Sequence, residues 1–285
     1  MTDRPLPAVY RTTVVRTERL TPHMVRVVVT GPGLDVFPDG GFSDRYVKLI
    51  FPRPGVAYPA DMDHAEIRSS LPPEEWPVYR TYTIRAIDPE RAELTIDFVT
   101  HGDEGVAAPW AAAAQPGDEL VLTPPGGAYR PSPEVDHHLL VGDGAALPAI
   151  ASALEDMPPG APATVIVQVD GPDDELPLPT PAEAGITWIH SEDPDALVAA
   201  VETLDWPAGR VQLFVHGELR AVRAIRAGLA GRGVERELVS LSGYWRRGQD
   251  EDGFQAEKRE LTAADRAAAE ARQPAPIVGG SPTVQ

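Results

Sequence analysis

The run PVYRTYTIRAID places Arg80 and Arg85 five residues apart, with Thr81, Tyr82, Thr83 and Ile84 between them. A buried strand would ordinarily be aliphatic here. Guanidiniums hold phosphates through charge-assisted hydrogen bonds, an aromatic ring offers a flat surface, and a threonine hydroxyl can bond a ring heteroatom. Together these groups suit a flat heteroaromatic ligand that carries phosphates. Strand alternation sends Arg80, Tyr82 and Ile84 to one face and Thr81, Thr83 and Arg85 to the other. At a strand end, one ligand can reach both sets. The same segment alone also fits a solvated hairpin whose arginines cover apolar surface.

Other stretches carry similar chemistry. HGDEGVAAPW contains His101, Gly102 and Gly105, followed by Val106, Ala107 and Trp110, and a helix is expected to begin near Pro109. A glycine turn into a helix start presents backbone N–H groups to phosphate. PPGGAY is a flexible turn ending in Tyr129, placed to meet a ring. VGDGAALPAI sets Gly142, Asp143, Gly144 and Ala145 between a strand and a helix, without the GxGxxG spacing of the common dinucleotide fingerprint. Tyr244, Trp245 and Arg246 lie in SGYWRRG near the end of the last strand.

Composition narrows what these groups can serve. The 285 residues exceed one typical domain, so two are expected. With 25 Lys plus Arg against 43 Asp plus Glu, the net charge of -18 argues against a nucleic-acid or anionic-membrane surface. The chain has no cysteine. That excludes disulfides, thiolate metal sites, cysteine-held iron–sulfur clusters and a cysteine nucleophile. Redox chemistry would need an organic cofactor or a metal on N and O ligands. His137 and His138 are adjacent and no HxH or HxxxH pair occurs, which speaks against a protein-held metal; His190 and His216 end strands and read as solvated or capping. The N-terminus has no apolar signal region, and no run approaches about 20 apolar residues. A soluble, cytoplasmic and monomeric protein is the expectation.

The elements that must position these residues fall into two groups. AVYRTTVVRTERL, MVRVVVTG, RYVKLIFP, RTYTIRAID, ELTIDFVT and DELVLTPP are short Val-, Ile- and Thr-rich runs between Pro, Gly and Asp, which predicts a six-stranded antiparallel barrel. From His137 the apolar runs HHLLVGDG, ATVIVQVD, GITWIHSED and RVQLFVHGE alternate with helical stretches, and ERELVSLSGYW closes the set. That predicts a parallel sheet covered on both faces. The expected domains are a barrel over 1–132, an α/β domain over 133–252, and a C-terminal helix with a disordered tail over 253–285.

A barrel followed by a doubly wound domain suits a flavin reductase. RTYTIR, HGxxG with its tryptophan, PGD, GGAY, LLVGDGAALPAI and SGYWRRG, in this order and spacing, resemble the siderophore-interacting protein family of flavin-dependent ferric-siderophore reductases. The resemblance covers Val9 to Arg259. It implies a ferredoxin-reductase-like fold, FAD in the barrel, NADPH or NADH in the second domain, and reduction of a ferric siderophore to release Fe(II). Residue by residue, it implies Arg80 on the FAD phosphate, Tyr82 packed on the flavin, Thr83 at the flavin N5 and O4 edge, and Arg85 on a phosphate or the adenine side. Thr81 accompanies them, and His101 and Gly102 to Gly105 would cover the pyrophosphate. Two departures stand out: Val106-Ala107-Ala108 replaces Pro-Ala-Ser or Pro-Ala-Thr, and Gly142-Asp143-Gly144-Ala145 replaces Gly-Asp-Glu-Thr. Each removes a polar contact to a cofactor, on the order of 1 kcal/mol for a hydroxyl. Asp170, ending the second strand of the α/β domain, favours NADH, whereas Arg220, Arg223, Arg246 and Arg247 could take a 2'-phosphate; the family resemblance tips the expectation to NADPH. Lys48, Lys258 and Arg259 are the expected basic residues for an anionic ferric chelate.

Overall fold

The computed structural model describes residues 9–100, 105–249 and 253–254. Lys258 and Arg259, His101 and Gly102, and nearly all of the expected C-terminal helix lie outside the described residues. The described residues up to Tyr244 form one compact unit.

Six strands close into a barrel in the order β1-β2-β5-β4-β3-β6. They are β1 (Tyr10–Thr21), β2 (Met24–Thr30), β3 (Tyr46–Phe51), β4 (Val78–Asp88), β5 (Glu93–Val99) and β6 (Glu119–Leu122). All neighbours pair antiparallel. Their inward residues, among them Val27, Leu49, Ile84, Ile96, Phe98 and Leu122, fill the interior completely. The sequence predicts nothing between β3 and β4, yet a helix stands there, α1 (His64–Ser70). Asp63 caps it, accepting from Glu66 N at 2.7 Å, and Ile67 packs with Ile50, Met62 and Val121 on the barrel's outer side. Seven residues with one buried side chain leave too little periodicity to read.

One seam of the barrel is forked. Val78 to Thr83 of β4 pair with β3 alone, and pairing with β5 begins only at Ile84 opposite Ile96. Beyond Ile96, Asp97 to Val99 pair with β2. The two strands therefore diverge at the end that carries Arg80 to Thr83. The helix α2 (Ala107–Ala113) lies beside the fork and starts two residues before Pro109.

The second half is a five-stranded sheet in the order β11-β10-β7-β8-β9, with β10, β7, β8 and β9 parallel. Its strands are β7 (His137–Asp143), β8 (Pro162–Val169), β9 (Glu183–His190), β10 (Val211–Glu218) and β11 (Val239–Trp245). One face packs on α3 (Leu147–Glu155), the other on α4 (Pro194–Glu202) and α5 (Leu219–Gly228). Double coverage explains the unbroken apolar runs, and β10 is buried along its whole length. From β7 the chain adds β8 and β9 on one side and β10 on the other. The strand order thus reverses between β7 and β10, where open α/β sheets form a ligand crevice beyond the strand ends.

Two of the contacts that join barrel and sheet are ion pairs. Arg85 of β4 sets its terminal nitrogens 2.8 and 2.5 Å from the Glu155 carboxylate of α3, and Ser152 Oγ donates to the Arg85 carbonyl at 3.1 Å. The second is His23, in the β1–β2 turn. Its Nδ1 lies 2.8 Å from Asp174 and 3.6 Å from Asp170, both after β8, and its backbone N–H bonds Asp174 at 3.2 Å. The Asp174 hydrogen bond raises His23 above its ordinary 6.5, although burial opposes it. Burial alone would raise Asp174, but hydrogen bonds from His23 and Thr21 hold it below its ordinary 3.8. With a raised histidine, the stabilisation is complete below the unfolded value and is lost as pH rises through the folded one. His23→Gln is therefore expected to cost about 0.5–1 kcal/mol near pH 6 and less near pH 8.5, a small effect because the ring is 44% exposed. Urea unfolding at the two pH values measures it; a loss that grows with pH contradicts the assignment.

Candidate functional site

The site begins on β4. Thr81 stands opposite Lys48 and Thr83 opposite Tyr46, so these four side chains share the barrel's outer face. Tyr82 and Ile84 turn inward, as the alternation predicts. The Tyr82 ring packs on Phe98 with centroids 4.4 Å apart, and Arg80, half-buried on the same side, donates from Nη1 to the Tyr79 carbonyl at 2.8 Å. A bulge between Ile84 and Ala86 then breaks the alternation. Arg85, expected at a phosphate, instead has both terminal nitrogens on Glu155.

The fork between β4 and β5 is floored by aromatic rings. Trp110 of α2 lies 5.8 Å from both Phe51 and Phe98, Ala107 is buried against the barrel core, and Val106 packs on it. Gly105, with φ of +81°, makes the left-handed turn into α2 that other residues adopt only with strain.

The GGAY loop is pinned by Asp44, a residue the sequence gave no reason to select. Its Oδ1 accepts from Ala128 N and Tyr129 N, both at 2.8 Å. Gly126 and Gly127 lie flat against rings, since a Cβ would come within 2.6 Å of Tyr46 and 2.7 Å of Phe42. Tyr129, expected to face a ring ligand, is buried against Phe214 in the sheet's core, centroids 4.9 Å apart. Burial pushes its phenol up, and its hydroxyl has no hydrogen-bond partner among the described residues.

At the strand-order reversal, Asp143 serves as a clamp. One carboxylate oxygen accepts from Ala145 N at 3.0 Å and Ala146 N at 3.3 Å, and the other accepts from Glu218 N at 2.7 Å, tying the turn after β7 to the turn after β10. Gly142 is fixed by contact: a Cβ would meet Ala146 Cβ at 2.6 Å and the His216 carbonyl oxygen at 2.9 Å. Gly144 and Ala145 are half-buried beside them.

A polar chain joins barrel to sheet here. Thr83, 7% exposed, lies near the Tyr244 hydroxyl; that hydroxyl lies 2.9 Å from His216 Nδ1, and His216 Nε2 lies 2.9 Å from Ser240 Oγ. His216, expected to be solvated or capping, is 2% exposed with both ring nitrogens engaged. Burial pushes the Tyr244 phenol well up, with Asp44, Asp143 and Tyr46 adding to the rise and the Thr83 bond opposing it. Sequence places these residues 161 positions apart at most, and only the fold brings them together.

Lys48 is exposed on β3. Burial first, then the charge of Arg68, lowers the His64 imidazole at the N-terminal end of α1, with Asp63 opposing and Lys48 adding a smaller push. His23, Asp170 and Asp174 hold groups within 4.8 Å of one another, an arrangement already accounted for by their ion pairs.

These surroundings fit a flat dinucleotide: an aromatic-floored fork, a half-buried arginine beside it, and glycines that let a loop lie close. Comparison with known proteins points the same way. Residues 13–129 match the family described as a siderophore-interacting FAD-binding domain, and residues 135–248 match the siderophore-interacting protein family. The chain is 41% identical to an uncharacterized protein of Mycobacterium tuberculosis, over 93% of this chain and 99% of that one. It is 33% identical to the ferric vibriobactin reductase ViuB of Vibrio cholerae, over 86% and 92%. Its fold is similar to the crystal structure of the siderophore-interacting protein SipS from Aeromonas hydrophila, with a TM-score of 0.78 and 31% identity, over 91% of this chain and all of that one.

Proposed function

This chain belongs to the siderophore-interacting protein family, and we propose that it is a flavin-dependent reductase of ferric siderophores that takes its electrons from NAD(P)H. The observation that carries this reading is the meeting of the two halves at Thr83. The strand that bears Arg80, Tyr82 and Thr83 beside the fork brings Thr83 near Tyr244, whose hydroxyl lies 2.9 Å from His216 Nδ1 at the sheet's strand-order reversal. A flavin ring at Thr83 would therefore border a nicotinamide held in the crevice between β7 and β10.

In this reading the barrel, residues 1–132, holds FAD, and residues 133–252 hold NAD(P)H. Arg80 binds the pyrophosphate, with the loop from His101 and Gly102 through Gly105 to Val106 and Ala107 over it. Tyr82 and Trp110 shape the aromatic floor, and Thr81 and Thr83 line the ring's edge. Gly142, Asp143, Gly144 and Ala145 form the floor of the nicotinamide crevice, and Tyr244 belongs to its wall. FAD, when bound, accepts a hydride and gives up single electrons. The protein's part is to align the two cofactors and to keep water from the ring edge, where Thr83 is buried. Fe(II) binds hard oxygen donors less tightly than Fe(III), so reduction frees the metal from its chelator. Lys48, two positions along β3 from the residue paired with Thr83, offers a cation to an anionic chelate.

The purified protein should absorb as a flavoprotein. Under argon, NADPH or NADH should bleach that absorbance, and a ferric siderophore should restore it with release of Fe(II). Bleaching without recovery overturns the substrate, and absence of flavin overturns the reading. Lys48→Ala should raise the apparent KM for an anionic ferric siderophore several-fold and weaken its salt dependence, in line with about 0–1 kcal/mol for an exposed ionic contact. Timing reoxidation of photoreduced protein at low and high ionic strength checks this. A wild-type rate indifferent to salt removes Lys48 from the site.

A further inference from the structure

We propose that Phe42 and Tyr46 form an aromatic shelf beside the flavin edge that selects ferric chelates built on catechol rings over those built on aliphatic hydroxamates. The inference rests on the reductase reading above and names the substrate class of that same site. Among the described residues, the exposed large apolar side chains include just two aromatic rings, Phe42 at 37% and Tyr46 at 41%. One exposed ring would be ordinary on a protein surface. These two stand together, Tyr46 over Gly126 and Phe42 over Gly127, on adjoining residues of one loop.

The backbone beneath the rings is fixed. Tyr46 and Gly126 exchange both backbone hydrogen bonds at 2.9 Å, Ser43 N donates to the Tyr129 carbonyl at 2.8 Å, and buried Asp44 accepts from Ala128 N and Tyr129 N. Backbone thus closes one side of each ring, and the exposed remainder is a stacking surface with little freedom left to lose on binding. Its place is set by strand register. Tyr46 stands directly opposite Thr83, and Lys48 opposite Thr81, on the barrel's outer face. Because β3 flanks β4 on the side away from β5, the shelf is distinct from the inward rings Tyr82, Phe98 and Trp110 that floor the fork. A chelate seated on it would lie one strand spacing, about 5 Å, from Thr83. Charge complements the rings. A ferric triscatecholate is an aromatic trianion, whereas a ferric trihydroxamate is neutral and aliphatic. On a chain of net charge -18 a trianion needs local cations, and two exposed ones flank the shelf: Lys48, and Arg130, whose Nη1 donates to the carbonyl of Gly41 beside Phe42 at 3.3 Å. The nearby acids are engaged, Asp44 with backbone and Asp39 with Arg45.

Gallium(III), close to ferric iron in charge and size but not reduced by a flavin, separates binding from electron transfer. In calorimetric titrations of the purified protein, the gallium complex of a hexadentate triscatecholate should bind at least about tenfold more tightly than that of a hexadentate trihydroxamate. Phe42→Leu and Tyr46→Leu should each weaken the triscatecholate about 2- to 10-fold, the range for a lost aromatic pair, and the trihydroxamate less. Tyr46→Phe, which keeps the ring, should match the wild type. The wild-type preference should persist at high ionic strength, where the charge of Lys48 and Arg130 is screened, and this arm stands even if a leucine variant fails to fold. Equal wild-type affinities, a preference that vanishes in salt, or leucine variants that weaken both complexes alike or neither overturn the shelf. Loss of flavin from a folded leucine variant also overturns it, since the rings would then belong to the cofactor. A wild-type protein that binds no flavin overturns the function reading instead, and the gallium titration still decides the shelf.

Discussion

Arg80→Ala is expected to purify without flavin. Removing the guanidinium strips a partly buried phosphate of its cation, a charge-assisted contact of roughly 1.5–3 kcal/mol, or about 10- to 150-fold in affinity. The barrel should survive, because Arg80 is half-buried and bonds its neighbour's carbonyl. Arg80→Lys should fall between the two, keeping a positive charge but losing the planar fork. The check is the ratio of flavin to protein absorbance, with circular dichroism as the control for folding. Full flavin occupancy in Arg80→Ala removes the residue from the pyrophosphate site.

Asp143→Ala should produce the largest loss of stability. Its carboxylate accepts three backbone N–H bonds, from Ala145, Ala146 and Glu218. Alanine would leave those donors short of an acceptor at two adjoining turns, at about 1–3 kcal/mol each where water cannot enter, so a total of about 3–5 kcal/mol is expected. Asp143→Asn keeps one good acceptor and should lose about half as much. Urea unfolding gives the measurement, through a lower midpoint at an unchanged slope. A midpoint equal to the wild type would show that the clamp contributes nothing. The same result bears on the departure from Gly-Asp-Glu-Thr, since the aspartate that remains in this chain is occupied with the two turns.

Local chemistry made most of the fold legible. All six barrel strands and all five strands of the sheet stand where alternation, apolar runs and turn residues predict them, because each signal is contained within eight or so residues. Thr83 and Tyr82 were likewise visible as polar and aromatic intruders in a strand. What escaped is set by distant partners. Arg85 reads as a phosphate ligand until Glu155, seventy positions on, is seen beside it. Tyr129 reads as placed to meet a ring ligand until the sheet's core closes over it, and His216 as solvated or capping until Tyr244 and Ser240 reach its ring. The His23 and Asp174 pair, 151 positions apart, left no trace in either local segment.

The barrel's closing seam also dictates an order of events during synthesis. β1 pairs with β6, and Thr12 Oγ1 donates to the Leu120 carbonyl across 108 residues. The hairpins β1–β2 and β4–β5 close over short loops and can form as they emerge, whereas the seam has to wait until β6 has cleared the ribosome. Until then, the unpaired edge of β1 and the half-built interior are open to other chains. Slow elongation before residue 122 therefore prolongs the most vulnerable interval of this protein's life, and the yield of native molecules should depend on the rate of translation through the first half of the message more than through the second.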